Sequence, residues 1–142
     1  MENEDTKKED PLKKLYVDQK SINRDLLVKL LVDLISIDQT SLKPVFKKAY
    51  YKLREKDKIL VYLLYKRALV ALGRIKEENM GEMPKKISKE TGVEYNSVRG
   101  YLSQLFRQNM VDKSKLFNGY YILSNALFKI QEELGIKTKK PS

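Results

Sequence analysis

The stretch PKKISKETGVEYNSVRGYLSQLFRQNM, Pro84 to Met110, is the part of the chain whose reading decides the fold. Pro84 to Thr91 reads as a short helix with Ile87 inward, Gly92 and Val93 as a turn, and Tyr95 to Met110 as a longer helix. The turn needs a residue that tolerates positive φ, which Gly92 supplies, and Val93 then drops into the small core between the two helices. In the second helix Val98, Leu102, Leu105 and Phe106 fall at helical spacing and form one apolar stripe toward that core. Tyr95, Asn96, Arg99, Gly100, Ser103 and Arg107 lie outside the stripe. Tyr101 and Phe106 are assigned to the core rather than to base stacking.

Downstream, Val111 to Phe117 and Tyr120 to Leu123 read as two β-strands. Asn118-Gly119 between them is the preferred pair for a two-residue type I′ turn. Tyr120 and Tyr121 alternate across the second strand, so one is expected to be buried and the other exposed. Asn125 to Leu134 reads as a further helix.

The run from Ile87 to Leu102 resembles the helix-turn-helix signature of many bacterial and archaeal regulators. The hairpin that follows, and Tyr121-Ile-Leu-Ser124 leading into a helix, resemble the winged-helix superfamily and its MarR and PadR groups. The resemblance covers residues 58 to 134 if the helix from Lys58 serves as the first of the domain. It implies a fold that is mainly α with a small β-hairpin wing, preceded by two N-terminal helices. It also implies that the Tyr95 helix reads the major groove and that the wing meets phosphates. Gly100, where many such helices carry Arg or Gln, and the short wing depart from the common pattern.

Physical chemistry points the same way. The 142 residues carry a net charge of +10, and the excess follows residue 40: residues 1 to 40 hold 7 basic and 9 acidic side chains, 41 to 80 hold 11 and 4, and 81 to 142 hold 11 and 6. Such a surface attracts a polyanion through counterion release; a Lys-rich proteome is the bland alternative. The N-terminal outward residues of a helix can reach base edges in the major groove. On that geometry Asn96 suits adenine and Arg99 suits guanine or phosphate. Tyr95 and Ser97 suit phosphate or a thymine methyl, and Gly100 and Ser103 complete the reading face. Lys85, Lys86, Lys89, Arg107, Lys113 and Lys115 are the phosphate candidates.

Four segments result. Residues 1 to 20 read as a charged, disordered tail, since they offer little apolar surface against the entropy of ordering. Residues 21 to 57 read as two helices, a dimerisation or partner surface. The first is Ile22 to Ile37, apolar on most sides. The second is capped by Thr40 or Ser41, has Pro44 in its first turn, and places Leu42, Val45, Phe46, Ala49, Tyr50 and Leu53 at helical spacing. Residues 58 to 134 form the winged domain, its first helix capped by Asp57, with Arg74 to Gly81 as a loop. Residues 135 to 142 read as a basic tail.

Cys and His are both absent, which excludes thiolate and imidazole metal sites, disulfides and His-based acid-base catalysis. No spacing assembles a nucleophile with a base and no glycine-rich loop cradles a phosphate, so the expectation is no enzyme, no cofactor and no metal. The charged start and the absence of a spanning run imply a cytoplasmic, nucleoid-associated protein away from the membrane. The expected partners are double-stranded DNA and a second copy, with a transcriptional regulator as the leading role. A replication, partition or architectural DNA-binding protein of a plasmid, virus or chromosome is one alternative. A winged-helix protein-interaction module is the other. RNA stays open, although no stacking aromatics on an exposed sheet are evident.

Overall fold

The computed structural model describes residues 10–15 and 19–135. These build a mainly helical chain with two small antiparallel sheets of two strands each. In order the elements are α1 (Gln19–Leu31), β1 (Ile35–Ile37), β2 (Pro44–Phe46), α2 (Lys48–Tyr51), α3 (Glu55–Ala71), α4 (Pro84–Thr91), α5 (Tyr95–Arg107), β3 (Val111–Ser114), β4 (Gly119–Ile122) and α6 (Leu127–Leu134). Three 3-10 turns, Pro11–Leu15, Glu77–Asn79 and Ser124–Ala126, lie between or before them.

The middle of the molecule is α3. Ile59 to Tyr65 are buried without interruption, a run apolar on every side, so the helix needs cover all round. It gets that cover from α1, β4, α4, α5 and α6, which all pack against it. A single core cluster extends from Leu26 through α3 to Ile130, across the expected boundary between residues 57 and 58. Full burial of one such Leu or Ile contributes roughly 1.5–3 kcal/mol, so α3 is the main source of cohesion. The helix begins at Glu55 rather than after Asp57. Asp57 sits inside its first turn, buried, where its carboxylate accepts from the Arg54 guanidinium at 2.8 Å.

The second expected helix is the principal correction. Residues 35 to 46 form a hairpin in the register Ile35 to Phe46 and Ile37 to Pro44, and only Lys48–Tyr51 is helical. Helical spacing of apolar residues did not decide the backbone here because local and distant polar contacts did. Asp38 accepts the Ser41 N–H at 2.7 Å, which also holds its carboxyl below the usual range, and Leu42 takes a left-handed φ of 66°. The Tyr65 hydroxyl then donates to the Leu42 carbonyl. Pro44 opens β2, a place that tolerates a missing N–H as well as a helix start does. Phe46 stacks on Tyr50 with ring centroids 4.0 Å apart. The first expected helix is shortened accordingly, ending at Leu31 instead of Ile37.

At the chain ends, Pro11–Leu15 of the expected disordered tail forms a 3-10 turn with no buried residue, and α1 starts at Gln19. The rest of that expectation, residues 1–9 and 16–18, lies outside the described residues, as do residues 136–142 of the basic tail. The last helix is divided into the 3-10 turn Ser124–Ala126 and α6. Among the described residues no helix is long and apolar enough to cross a membrane.

Candidate nucleic-acid interface

The two helices of the central motif stand where the sequence puts them, except that α5 ends at Arg107 and not at Met110. Pro84 lies in the first turn of α4, and Gly92 ends that helix at φ 82°. The turn of Gly92, Val93 and Glu94 is then fastened at several points. Val93 is buried, the Ser88 hydroxyl donates to the Val93 carbonyl at 2.7 Å, and the Val93 N–H donates to Thr91 Oγ1 at 3.2 Å. Thr91 Oγ1 in turn donates to the Ile87 carbonyl, and the buried Tyr50 hydroxyl donates to the Thr91 carbonyl at 3.1 Å. Burial pushes the Tyr50 phenol well above its ordinary range, so it stays a donor. The angle between α4 and α5 is thus set by buried groups.

On α5, Val98, Leu102 and Leu105 are fully buried against that turn and α3. Asn96, Arg99, Gly100, Ser103, Gln104 and Arg107 are exposed. Tyr95 is half-buried, and the Arg99 guanidinium lies 5.7 Å from its ring centre. Arg107 donates to Ser103 Oγ at 2.8 Å, so these two act as a pair. Tyr101 is half-buried against the core, with its hydroxyl on Glu55. Phe106 is not a core residue: it is 50% exposed, because the buried stripe runs 98, 102, 105 and leaves 106 at the margin.

Glu94, not among the residues that spacing singles out, caps α5. Its carboxylate accepts the Ser97 N–H at 3.1 Å and lies 3.5 Å from the Ser97 hydroxyl. An acidic group at a helix N-terminus is favourable for the helix. It also occupies Ser97, one of the expected base-reading groups, and adds negative charge where a phosphate would approach. The sequence carries no ready signal for it, since Glu is not among the preferred N-cap residues and a capping box places Ser or Thr first and Glu three residues later.

The hairpin after α5 forms with Val111 opposite Ile122 and Ser114 opposite Gly119. Its connection is therefore Lys115 to Asn118, four residues, and not the two-residue Asn118-Gly119 turn. Gly119 serves a different purpose. The Glu82 N–H donates to the Tyr120 carbonyl and the Tyr120 N–H to the Glu82 carbonyl, both at 2.9 Å, so Glu82 adds a one-residue bridge beside β4. A Cβ at Gly119 would meet the Glu82 backbone at 2.6 Å, and one at Gly81 would meet the Phe117 carbonyl oxygen at 2.4 Å. The expected loop Arg74 to Gly81 thus delivers a backbone pairing. Asn118, at φ 63°, fastens the hairpin tip by donating to the Glu78 carbonyl at 2.9 Å.

Three side chains from α3 hold this small sheet, Arg67 directly and Tyr62 and Lys66 through Glu82. Arg67 donates to the Ile122 carbonyl at 2.6 Å, and its burial lowers the guanidinium from its ordinary value. Glu82 accepts from the Tyr62 hydroxyl at 3.0 Å and from Lys66 at 3.1 Å. Tyr120 and Tyr121 do not divide into one buried and one exposed; both are half-buried. Tyr120 packs on the core under Lys113, whose Nζ lies 5.4 Å from its ring centre, while Tyr121 meets Phe117 edge to face. Burial, then the Asp112 carboxylate, raises the Tyr121 phenol.

Lys85, Lys86 and Lys89 on α4, Lys113 on β3 and Lys115 in the hairpin loop are all exposed, and no ion pair among the described residues engages them. The charges that are paired lie elsewhere: Arg54 and Lys56 with Glu133, and Lys66 with Glu82. The elements bearing the exposed cations pack consecutively, α4 on α5 and α5 on β3. A second surface is apolar, an open groove of about 270 Å³ lined by Val28, Leu31, Val32, Ile37 and Leu72. Val28 and Val32 are among its exposed residues. Among the described residues no group of three or more acidic side chains is arranged to hold a metal ion.

Compared with protein-family models, with curated proteins and with solved structures, the chain finds no match in any of the three.

Proposed function

We propose that the chain is a winged-helix protein that binds double-stranded DNA, with α5 in the major groove and the β3–β4 hairpin as wing, and that it acts as a transcriptional regulator. One observation carries this reading. α5 is fixed by its buried face and its cap, while its outer face presents Asn96, Arg99, Ser103 and Arg107 to solvent beside unpaired lysines of α4 and the hairpin. Rigid placement of hydrogen-bonding groups beside loosely held cations suits base readout by the first and phosphate contact by the second. The element order supports the same assignment: α3, the Glu82 bridge, α4, α5 and the two strands. The role requires no catalytic group and no cofactor.

A second reading, an architectural, replication or partition protein with weak sequence preference, has its own support. Glu94 engages Ser97, Arg107 engages Ser103, and Gly100 offers no side chain, which leaves Asn96 and Arg99 as the principal readers. Selection of bound duplexes from a random pool, followed by the salt dependence of the winners, separates the two. A recurrent motif means a regulator; no motif with a steep salt slope means an architectural protein. No binding at low salt rejects both and leaves a protein-interaction module.

One recognition helix reads only a few base pairs, so a two-fold assembly on two half-sites is the natural working form. The exposed Val28 of α1 and Val32 just beyond its end, with Leu72, are the surface for a second copy in this reading. A molar mass of one chain at working concentration, free and on DNA, would reject it.

A further inference from the structure

The chain has six glycines, and the fold accounts for five of them. Gly73, Gly92 and Gly135 take positive φ at helix C-terminal ends, a conformation that L residues with a Cβ rarely adopt. Gly81 and Gly119 lie where a Cβ would strike backbone atoms at 2.4 and 2.6 Å. Gly100 has neither reason. It sits in the middle of α5 with ordinary helical backbone, is exposed, and a Cβ built on it meets nothing within 4 Å. Glycine inside a helix weakens it relative to alanine, and nothing among the described residues offsets that cost.

We propose that Gly100 is the point where the edge of a base pair comes against the backbone of α5, closer than any side chain would permit. This rests on the reading of α5 as the helix in the major groove. The neighbours of Gly100 on the helix surface are Asn96 one turn before, and Ser103 and Gln104 one turn after, all exposed and uncharged. A bare strip flanked by amide and hydroxyl groups suits base edges and a thymine methyl, whereas a phosphate would be met by a cation such as Arg107. It turns the missing side chain from a gap in the recognition surface into a depth gauge. The helix can settle further into the groove, and Asn96 and Arg99 gain reach.

The test uses the full chain, the duplex that wins selection and a scrambled duplex of equal length. Gly100→Ala raises Tm by roughly 3 °C through helix propensity. It also lowers affinity for the selected duplex about tenfold, the loss expected when one good base contact is spoiled. Gly100→Leu lowers it further, and neither variant alters affinity for the scrambled duplex. Wild-type or improved affinity for the selected duplex in both variants overturns the proposal. So does an equal loss on both duplexes, which assigns Gly100 to the phosphate backbone, or a fall in Tm with Gly100→Ala, which assigns the glycine to the fold. Failure of the wild-type chain to prefer any duplex is a separate result that removes the groove-reading helix itself.

Discussion

The two hairpins of this protein are nearly equal in size and unlike in what holds them. β1–β2 is held mainly by contacts near its own chain, Asp38 on the Ser41 N–H, Lys47 Nζ on the Val32 carbonyl at 2.6 Å and Phe46 stacked on Tyr50, while Tyr65 and Arg74 reach only its loop, at the Leu42 and Gln39 carbonyls. β3–β4 is clamped from a distance. Arg67 reaches it from α3, Glu82 pairs with it along the backbone, and Asn118 ties its tip to Glu78. The first hairpin has an exposed Val45 and lies beside the apolar groove; the second lies beside α5 and presents Lys113 and Lys115. Similar local structure is therefore held in different ways, and the second hairpin is the one tied along its strands and tip to distant parts of the chain.

The comparison breaks first at Gly119. Replacing it with Ala puts a Cβ into the Glu82 backbone at a φ of 135°, and we expect a loss of about 3–4 kcal/mol in urea unfolding. A near-neutral variant would mean that the bridge to Glu82 is dispensable. Next come the proposed readers on α5. Asn96→Ala and Arg99→Ala should each weaken specific duplex binding by roughly 1–3 kcal/mol with unfolding unchanged; wild-type affinity in both removes them from the site.

The anchors themselves can then be set against each other. Arg67→Met keeps the stem but takes the donor from the Ile122 carbonyl, at an expected cost of about 1–2 kcal/mol. Lys47→Met removes an exposed donor and should cost under about 0.5 kcal/mol. Equal costs, read from denaturant midpoints, would erase the distinction between a clamped hairpin and a locally set one. The smallest effect is on salt dependence. Lys113→Ala with Lys115→Ala should flatten the slope of log affinity against log salt by about 0.9 for each phosphate that is no longer neutralised. Lys43→Ala with Lys48→Ala, beside the first hairpin, should leave it alone. A change in the second pair but not the first would assign the wing role to the wrong hairpin.

Much of the region from α3 to α6 was legible in the sequence because its signals are local and agree. Gly92 must end α4, Pro84 belongs in its first turn, and Val98, Leu102 and Leu105 share one face at helical spacing. Phe106 shows the limit of periodicity: one residue beyond the stripe is enough to turn a ring half into solvent. Of the proposed site residues, the exposed ones follow from the same spacing. The attachments of Ser97 and Ser103 depend on side-chain partners, which spacing does not reveal.

The sequence by itself determined the helical middle of the molecule and the polar outer face of α5. Both follow from repeats and caps that act within a few residues, where the backbone has few alternatives. Only the tertiary structure decided that residues 35 to 46 are a hairpin, since their apolar spacing fits a helix equally well and the choice falls to Tyr65 and the Phe46–Tyr50 stack. It also decided that Gly119 is there for Glu82, because close approach between residues 37 apart in the chain leaves no mark on either neighbourhood.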